Sequence, residues 1–250
     1  MITFANILID ISFLGLLGLL LGGIIALAAK FLAVKQDPRV EQTEELLAGV
    51  NCGACGYAGC TDFAKALVNN EAEPEQCPVT AKDKLESIAS LLGKSFNAST
   101  PATAIVHCNG NAANSFFMAK YNGINDCRSA QVVAGGVKAC TYGCLGLGSC
   151  ARACPFGAIE MTDEKMATIH PELCTACGKC VQACPRDLIK LRPVDAPVHN
   201  FCSNPEKGRL SKRVCAVSCI GCRKCVKEAG EEHIHMEDIL AVVNYNDPPS

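Results

Sequence analysis

An internal repeat of cysteines between residues 140 and 185 constrains this chain more than any other feature. Each half of the repeat ends in Cys-x3-Cys-Pro, first at Pro155 and then at Pro185. The second half places Cys174, Cys177 and Cys180 within one stretch of seven residues. Three thiols so close together fit one multi-iron cube better than separate disulfides, and they differ from the paired Cys-x2-Cys ends typical of zinc sites. The repeat therefore predicts iron–sulfur chemistry.

The second half of the repeat resembles the cysteine run of bacterial ferredoxins, whose fourth cysteine ligates the cluster of the other half. The first half is longer, with Gly143, Gly146 and Gly148 absorbing the extra length. Residues 158–161 and 167–169 are expected to form a hairpin that links the halves. The crossed rule predicts two [4Fe–4S] clusters, one held by Cys140, Cys144, Cys150 and Cys184 and the other by Cys154, Cys174, Cys177 and Cys180.

A separate group of four cysteines precedes the repeat, at Cys52, Cys55, Cys60 and Cys77. The glycines between them let the backbone wrap closely and turn its N–H groups toward sulfur. Residues 63–68 predict a short amphipathic helix that returns the chain to the fourth cysteine. Residues 81–92 predict another helix, which ends at Gly93. This group predicts a third [4Fe–4S] cluster.

The remaining seven cysteines divide less clearly. Cys219, Cys222 and Cys225 begin like a third ferredoxin copy, but Ala229-Gly230 stands where Cys-Pro would follow. Their fourth ligand is then Cys215 or Cys202, with His233, His235 or a three-iron cluster as alternatives. Another assignment joins Cys108, Cys127, Cys202 and Cys215 in one further site. Alternatively, Cys108 and Cys127 are small buried apolar residues that bind no cofactor. The sequence therefore predicts a total of at least three clusters, and a total of four or five is also compatible with it.

Two short apolar segments flank the repeat at residues 104–108 and 198–202. Both have the composition of short strands. If the two strands pair, Cys108 and Cys202 come together. The sequence therefore predicts a strand pair on either side of the repeat.

The N-terminal part of the chain contains 19 uncharged residues from Ile11 to Ala29. This length roughly spans a bilayer. A cleaved signal peptide is the rival interpretation, but no Lys or Arg precedes the apolar run. Lys30, Lys35 and Arg39 follow it, so the positive-inside rule places the rest of the chain in the cytoplasm. We expect a single-pass protein of the bacterial or archaeal inner membrane.

Charge and composition narrow the classes of partner. The formal net charge is −2, and clusters held by thiolates add negative charge. A nucleic-acid partner is therefore not expected, because it requires a basic face. The repeat contains no nucleophile and base pair and no phosphate-binding loop, so no catalytic residue is assigned. The site is predicted to move electrons rather than make bonds.

These features predict an α+β protein with four parts. Residues 1–34 form a transmembrane anchor, residues 35–93 a small helical four-cysteine iron–sulfur domain, and residues 94–102 a linker. Residues 103–250 form a ferredoxin-like two-cluster domain, with its core repeat at 140–190 and a partial third ferredoxin motif at 215–240.

Taken together, the anchor, the segment from Asn51 to Cys60, the segment from Tyr142 to Cys150 and the start of the last motif at Cys219 resemble the B subunit of the Rnf complexes. The likeness covers nearly the whole chain. It implies a subunit of an ion-translocating ferredoxin:NAD⁺ oxidoreductase, a translocase that couples the electron transfer to Na⁺ or H⁺ movement. The implied partners are reduced ferredoxin, a flavin- and NADH-binding subunit and integral membrane subunits. The alternatives are a stand-alone membrane-tethered polyferredoxin and the electron-input subunit of a corrinoid- or hydrogenase-linked complex.

Overall fold

The computed structural model describes residues 4–32, 37–97 and 100–249. Its first helix, α1 (Phe4–Leu32), is almost entirely apolar. Within the described residues, Ile11–Phe31 is the one helical segment long and apolar enough to cross a membrane, and none of it is buried inside the protein. At ~1.5 Å per residue the segment is roughly 30 Å long, which matches the hydrocarbon core of a bilayer. The predicted apolar N-terminal helix is therefore present, with the length and composition of a membrane-spanning one, and Lys35 lies outside the described residues.

A small helical unit follows α1 and surrounds the first cysteine group. Its core is apolar, and Phe63, Leu67 and Ile88 are almost completely buried there. The last helix ends at Gly93, whose φ of +66° places it in the left-handed region that favours glycine at a helix end. The two helices predicted at residues 63–68 and 81–92 are confirmed. The elements are α2 (Pro38–Leu46), α3 (Cys60–Val68), a 3₁₀ turn (Pro74–Gln76) and α4 (Lys82–Leu92).

The central repeat forms two short helices, each followed by a strand. The helices pack against each other, and Ile159 opposes Ile169 in the hairpin that links the two halves. Buried apolar residues from both halves, including Ile159 and Ile189, share one core. The predicted hairpin is confirmed. The elements, with the two that precede the repeat, are β1 (Ala102–Val106), α5 (Cys127–Val132), α6 (Ser149–Ala153), β2 (Ile159–Met161), β3 (Ala167–Ile169), α7 (Lys179–Ala183) and β4 (Ile189–Pro193).

The strand pair that flanks the repeat differs from the prediction. β1 pairs antiparallel with β4, so residues 198–202 form no strand, and the predicted pairing of 104–108 with 198–202 is wrong. The segment still runs beside the end of β1, because the N–H of Asn109 donates to the carbonyl of Phe201 at 3.0 Å. The hydroxyl of Ser203 also donates to the carbonyl of His107 at 2.8 Å. These bonds bring Cys108 and Cys202 to the same cavity without a strand pair.

The C-terminal part contains two short helices and a hairpin. A helix that carries Cys225 is followed by a hairpin in which Ile234 opposes Val243. The helix and the hairpin enclose a small core that includes Val226 and Ile234. The elements are α8 (Gly208–Val214), α9 (Lys224–Ala229), β5 (Ile234–Glu237) and β6 (Leu240–Val243). The fold class is therefore the predicted one: α+β, with an apolar N-terminal helix, an iron–sulfur unit and a ferredoxin-like two-cluster part.

Candidate functional site

One cavity lies at the start of α7 and is called the α7 cavity. Its wall contains Cys154, Cys174, Cys177 and Cys180, the four cysteines that the crossed rule assigns to one cluster. The N–H of Ala104 donates to the sulfur of Cys174 at 3.5 Å. Burial, with the nearby thiols of Cys174 and Cys177 adding to it, raises the pKa of Cys180 to about 11. A raised pKa favours the protonated thiol, whereas iron is ligated by the thiolate. A bound iron–sulfur cluster would therefore have to stabilise the thiolate at this site.

A second cavity, the α5 cavity, has Cys127, Cys144, Cys150 and Cys184 in its wall. Cys150 lies in α6 and Cys184 directly follows α7, so this cavity also takes cysteines from both halves of the repeat. The N–H of Leu188 donates to the sulfur of Cys184 at 3.5 Å. Burial and the neighbouring thiols raise the pKa of Cys150 to about 12.

Cys140 does not line the α5 cavity, contrary to the grouping expected from the sequence, and Cys127 takes its place. The turn from Cys140 to Cys144 is held by Arg186, whose guanidinium donates to the carbonyl of Cys140 at 2.9 Å and to the carbonyl of Gly143. With the turn held in this way, Cys144 faces the α5 cavity and Cys140 faces a different one. The lining of the α5 cavity therefore differs by one cysteine from the predicted ligand set.

Hydrogen bonds at the start of α5 hold Cys127 at its cavity. Asp126 precedes the helix, and its carboxylate accepts from the N–H of Ser129 and from the hydroxyl of Ser149, each at 2.8 Å. These bonds hold the pKa of Asp126 below its usual range. The N–H of Cys127 donates to the Ser149 hydroxyl at 2.8 Å, so the start of α5 is tied to the start of α6. The signal in the sequence is the Asp-Cys pair at a helix start, which sequence reasoning did not use.

A third cavity, the Cys108 cavity, has Cys108, Cys140, Cys202 and Cys215 in its wall. The set of four suggested by the sequence shares Cys108, Cys202 and Cys215 with this cavity but contains Cys127 instead of Cys140. The N–H of Cys144 donates to the sulfur of Cys108 at 3.3 Å, so the α5 and Cys108 cavities share a wall. Burial raises the pKa of Cys140 and of Cys202.

The Cys52 group consists of Cys52, Cys55, Cys60 and Cys77, which are all partly buried. The side-chain oxygen of Asn51 accepts from the N–H of Cys60 at 2.7 Å, which anchors the start of α3 to the loop. The hydroxyl of Thr80 lies 3.2 Å from the sulfur of Cys77. Gly53 and Gly56 have φ values of +70° and +90°, which other residues rarely adopt. The loop can therefore wrap a cofactor closely at these glycines.

The Cys52 group lies next to the α7 cavity. Cys77 and Cys174 line the same larger cavity, together with Phe96 and Pro101. The ammonium of Lys179, at the start of α7, lies 3.8 Å from the Cβ position of Gly53. The two candidate sites are thus neighbours, although residues 94–102 separate their domains in the sequence.

The last three cysteines, called the Cys219 triplet, lie at the surface. Cys222 and Cys225 are exposed and Cys219 is partly buried. The two expected donors of a fourth ligand, Cys202 and Cys215, face the Cys108 cavity instead. The histidines considered as alternatives contact other groups: His233 Nδ1 lies 2.8 Å from the carbonyl of Asp247, and His235 Nε2 lies 3.4 Å from Glu237.

The donor sets fit iron–sulfur clusters. Each of the three cavities is lined by four cysteines, with no Asp, Glu or His beside them. Within the described residues, no three Cys, His, Asp or Glu side chains converge to hold a single metal ion. N–H groups point at ligand sulfurs, as is usual around clusters that are tuned by hydrogen bonds. A [4Fe–4S] cluster bound at such a site supplies a one-electron carrier.

Two family models match the chain. Residues 47–79 match the family described as "Putative Fe-S cluster", and residues 137–188 match the 4Fe-4S dicluster domain. The first range contains the whole Cys52 group. The second contains the repeat but excludes Cys108, Cys127, Cys202, Cys215 and the Cys219 triplet. The chain therefore has a known iron–sulfur unit and a known dicluster core, with seven cysteines outside both.

Several relatives match almost the whole chain. The B subunit of the ion-translocating oxidoreductase complex of Methanosarcina acetivorans is 37% identical over 241 residues, which cover 96% of this chain and 91% of the relative. The B subunit of the Na(+)-translocating ferredoxin:NAD(+) oxidoreductase complex of Acetobacterium woodii is 38% identical, covering 96% of this chain and 72% of the relative. The proton-translocating counterpart of Clostridium ljungdahlii is 37% identical, covering 92% and 81%. The chain therefore belongs to the B-subunit family of the ion-translocating oxidoreductase complexes, the Rnf complexes.

Proposed function

We propose that this chain takes electrons from reduced ferredoxin and relays them through [4Fe–4S] clusters toward partner subunits. In that complex the partners reduce NAD⁺ and couple the reaction to Na⁺ or H⁺ translocation. The chain's own residues bind the clusters, bury the sulfur ligands and direct N–H groups at them. The chain itself needs no bond-making catalytic residue.

The observation that carries the proposal is that the cysteine groups adjoin one another in series. Two short helices each serve two sites: α6 and the residue after it carry Cys150 and Cys154, while α7 and the residue after it carry Cys180 and Cys184. Each pair contributes one cysteine to the α5 cavity and one to the α7 cavity. The two cysteines that each helix supplies lie about one helical turn apart, so the same two helices hold both cavities.

The series extends beyond the repeat in both directions. On one side, Cys77 and Cys174 share a cavity, which joins the Cys52 group to the α7 cavity. On the other side, the hydrogen bond from Cys144 to Cys108 joins the α5 and Cys108 cavities. Ser218, the residue before Cys219, in turn lines the Cys108 cavity, which brings the start of the Cys219 triplet next to it. Short separations of this kind favour electron transfer, because its rate falls steeply with distance.

A basic surface supports ferredoxin as the electron donor. Residues 207–227 contain seven Lys and Arg and no Asp or Glu, although the whole chain has a net charge of −2. All seven side chains are exposed, and within the described residues only Arg223 forms an ion pair, with Glu231 at 2.8 Å. The segment also contains the exposed Cys222 and Cys225 and the exposed apolar residue Ile220. An acidic electron carrier such as ferredoxin would be attracted to this surface and oriented by it.

The charges next to α1 support a cytoplasmic position for the soluble part. Lys30 lies in the last turn of α1, and Arg39 follows in α2. Basic residues on this side of a transmembrane helix favour the cytoplasmic face. We therefore place the chain in the inner membrane of a bacterium or archaeon, with its cysteine groups on the side where reduced ferredoxin and NAD⁺ are found.

A charge-reversal experiment on the purified complex tests the docking step. Arg209→Glu with Lys227→Glu should raise the KM for reduced ferredoxin about tenfold at low salt, since exposed charge pairs contribute up to about 1 kcal/mol each. The kcat of NADH formation and the iron content should stay unchanged. The matched control, Lys84→Glu with Lys120→Glu, makes the same change of charge at exposed positions outside the basic segment. Equal KM values for both double variants would contradict docking at this surface.

A further inference from the structure

We propose that the Cys108 cavity holds a [4Fe–4S] cluster of its own, ligated by Cys108, Cys140, Cys202 and Cys215. Neither matched family range contains this set, since only Cys140 lies within residues 137–188. The four cysteines come from four separate segments of the chain and line one cavity. With this site, sixteen of the 19 cysteines fall into four sets of four, and only the Cys219 triplet is left.

The backbone holds the four cysteines in place from several sides. Cys108 follows β1, and Cys202 lies beside it because Asn109 and Ser203 form the hydrogen bonds described above. Cys202 is fixed further, since its N–H donates to the side chain of Asn200 at 3.0 Å. Hydrogen bonds within the protein thus hold Cys108 and Cys202 at the same cavity.

Cys215 is fixed at the end of α8. It forms an isolated β-bridge with Ser115, and the N–H groups of Phe116 and Ala216 donate to the carbonyls of Val214 and Asn114, at 3.2 and 2.7 Å. The bridge carries the segment around residue 115 and the end of α8 to the same wall. Cys215 is accordingly buried rather than available at the surface.

Close backbone approach and a buried amide complete the surroundings of the sulfurs. A Cβ at Gly110 would lie 3.2 Å from the sulfur of Cys215 and 3.7 Å from that of Cys108, so glycine keeps the cavity open there. The side-chain amide of Asn204, which is 2% exposed, donates to the sulfur of Cys140 at 3.8 Å. Donors directed at ligand sulfurs are the surroundings that a cluster requires.

A buried cation in the same wall points to an anionic occupant. Lys138 is only 2% exposed. Its ammonium donates to the carbonyl of Cys144 at 2.7 Å and to that of Gly110, and it lies 5.7 Å from the ring centre of Phe117. Within the described residues, no carboxylate pairs with it. A buried ammonium without a counter-charge is costly, and a cluster held by four thiolates would provide that charge.

The first test counts iron on the full-length chain, purified anaerobically in detergent. Cys108→Ser with Cys202→Ser should lose about four irons and four sulfides per chain relative to wild type, since each cluster contains four of each. The matched control, Cys222→Ser with Cys225→Ser, should retain the cluster of the Cys108 cavity. If the first double variant retains every iron of the wild type, the proposal is overturned.

The second test uses the native chain and a variant that keeps every cysteine, so it does not depend on the folding of a cysteine variant. Native mass spectrometry of the wild type should show at least four clusters. Three clusters with a disulfide, or three clusters with one zinc ion, would overturn the proposal.

Lys138→Met should shift the reduction potential of one cluster to a more negative value, because a nearby positive charge favours the reduced state. Unchanged potentials for all clusters would remove the support that Lys138 provides and count against an anionic occupant.

Discussion

The backbone N–H of Cys144 donates a hydrogen bond to the sulfur of Cys108 at 3.3 Å. Cys144 lines the α5 cavity and Cys108 lines the neighbouring one, so a single hydrogen bond joins the walls of two candidate sites. The turn from Cys140 to Cys144 therefore serves both sites, with one cysteine facing each. This arrangement explains why the first half of the repeat departs from the usual ferredoxin spacing.

Crossed ligation gives the first prediction. Cys184→Ala should empty the α5 cavity and leave the Cys154, Cys174, Cys177 and Cys180 set loaded, because Cys184 faces the cavity of the other half. Cys180→Ala should have the opposite effect. Iron analysis with electron paramagnetic resonance on each variant distinguishes the two clusters. Loss of the α7 cluster from Cys184→Ala would show that the ligation is not crossed.

The exchange of Cys140 for Cys127 gives the second prediction. Cys127→Ser with Cys184→Ser should lose about four irons, no more than either single variant, because both residues line one cavity. Cys140→Ser with Cys184→Ser should lose about eight irons, because these residues line two cavities. The reverse pattern, with eight irons lost in the first pair and four in the second, would restore the grouping expected from the sequence.

The cap of α5 gives the third prediction. Asp126→Ala should lower the stability of the protein, because the helix loses its N-cap. It should also speed the release of iron from the α5 cavity, because Asp126 ties α5 to α6 through Ser149. Iron release to a chelator under anaerobic conditions measures the effect.

Asp37 provides the matched control for this experiment, since it caps α2 in the same way and lies outside the cysteine groups. Asp37→Ala should cost a similar amount of helix stability. It should leave the rate of iron release from the α5 cavity unchanged. Equal rates in the two variants would show that the Asp126 contacts do not hold Cys127 at its site.

Removal of iron gives the fourth prediction. The helices α6 and α7 have only five residues each, which is too short to be stable alone. The unit around the Cys52 group instead has an apolar core built on Phe63, Leu67 and Ile88. Iron removal should therefore reduce amide exchange protection in α6 and α7 by about a hundredfold or more, and in α3 and α4 by less. Equal losses in both parts, measured by hydrogen exchange, would contradict this difference.

The sequence predicts much of the fold because cysteine spacing is a local signal. The α7 cavity brings together the four cysteines that the ferredoxin run and the crossed rule name, including the distant Cys154. The helices around Phe63 and Ile88 follow from apolar periodicity, and the end of α4 follows from Gly93. These features need no knowledge of how separate segments pack.

The exchange of Cys127 and Cys140 depends on such packing and could not be read from spacing. Cys127 reaches its cavity through Asp126 and Ser149, whose contact spans 23 residues of sequence. The backbone of the turn that carries Cys140 is held by Arg186, which lies in the other half of the repeat. The pairing of β1 with β4 rather than with residues 198–202 also depends on packing. Several short segments have a composition suited to a strand, and composition alone does not show which of them pairs with β1.

One measurement tests the central claim, that this chain receives electrons from ferredoxin, most directly. The full-length chain is labelled with iron-57 and mixed anaerobically with reduced, unlabelled ferredoxin, so Mössbauer spectroscopy detects only the clusters of this chain. The account predicts that ferredoxin reduces these clusters, and that Arg209→Glu with Lys227→Glu slows the reduction while Lys84→Glu with Lys120→Glu does not. Clusters that dithionite reduces but reduced ferredoxin leaves oxidised would contradict it.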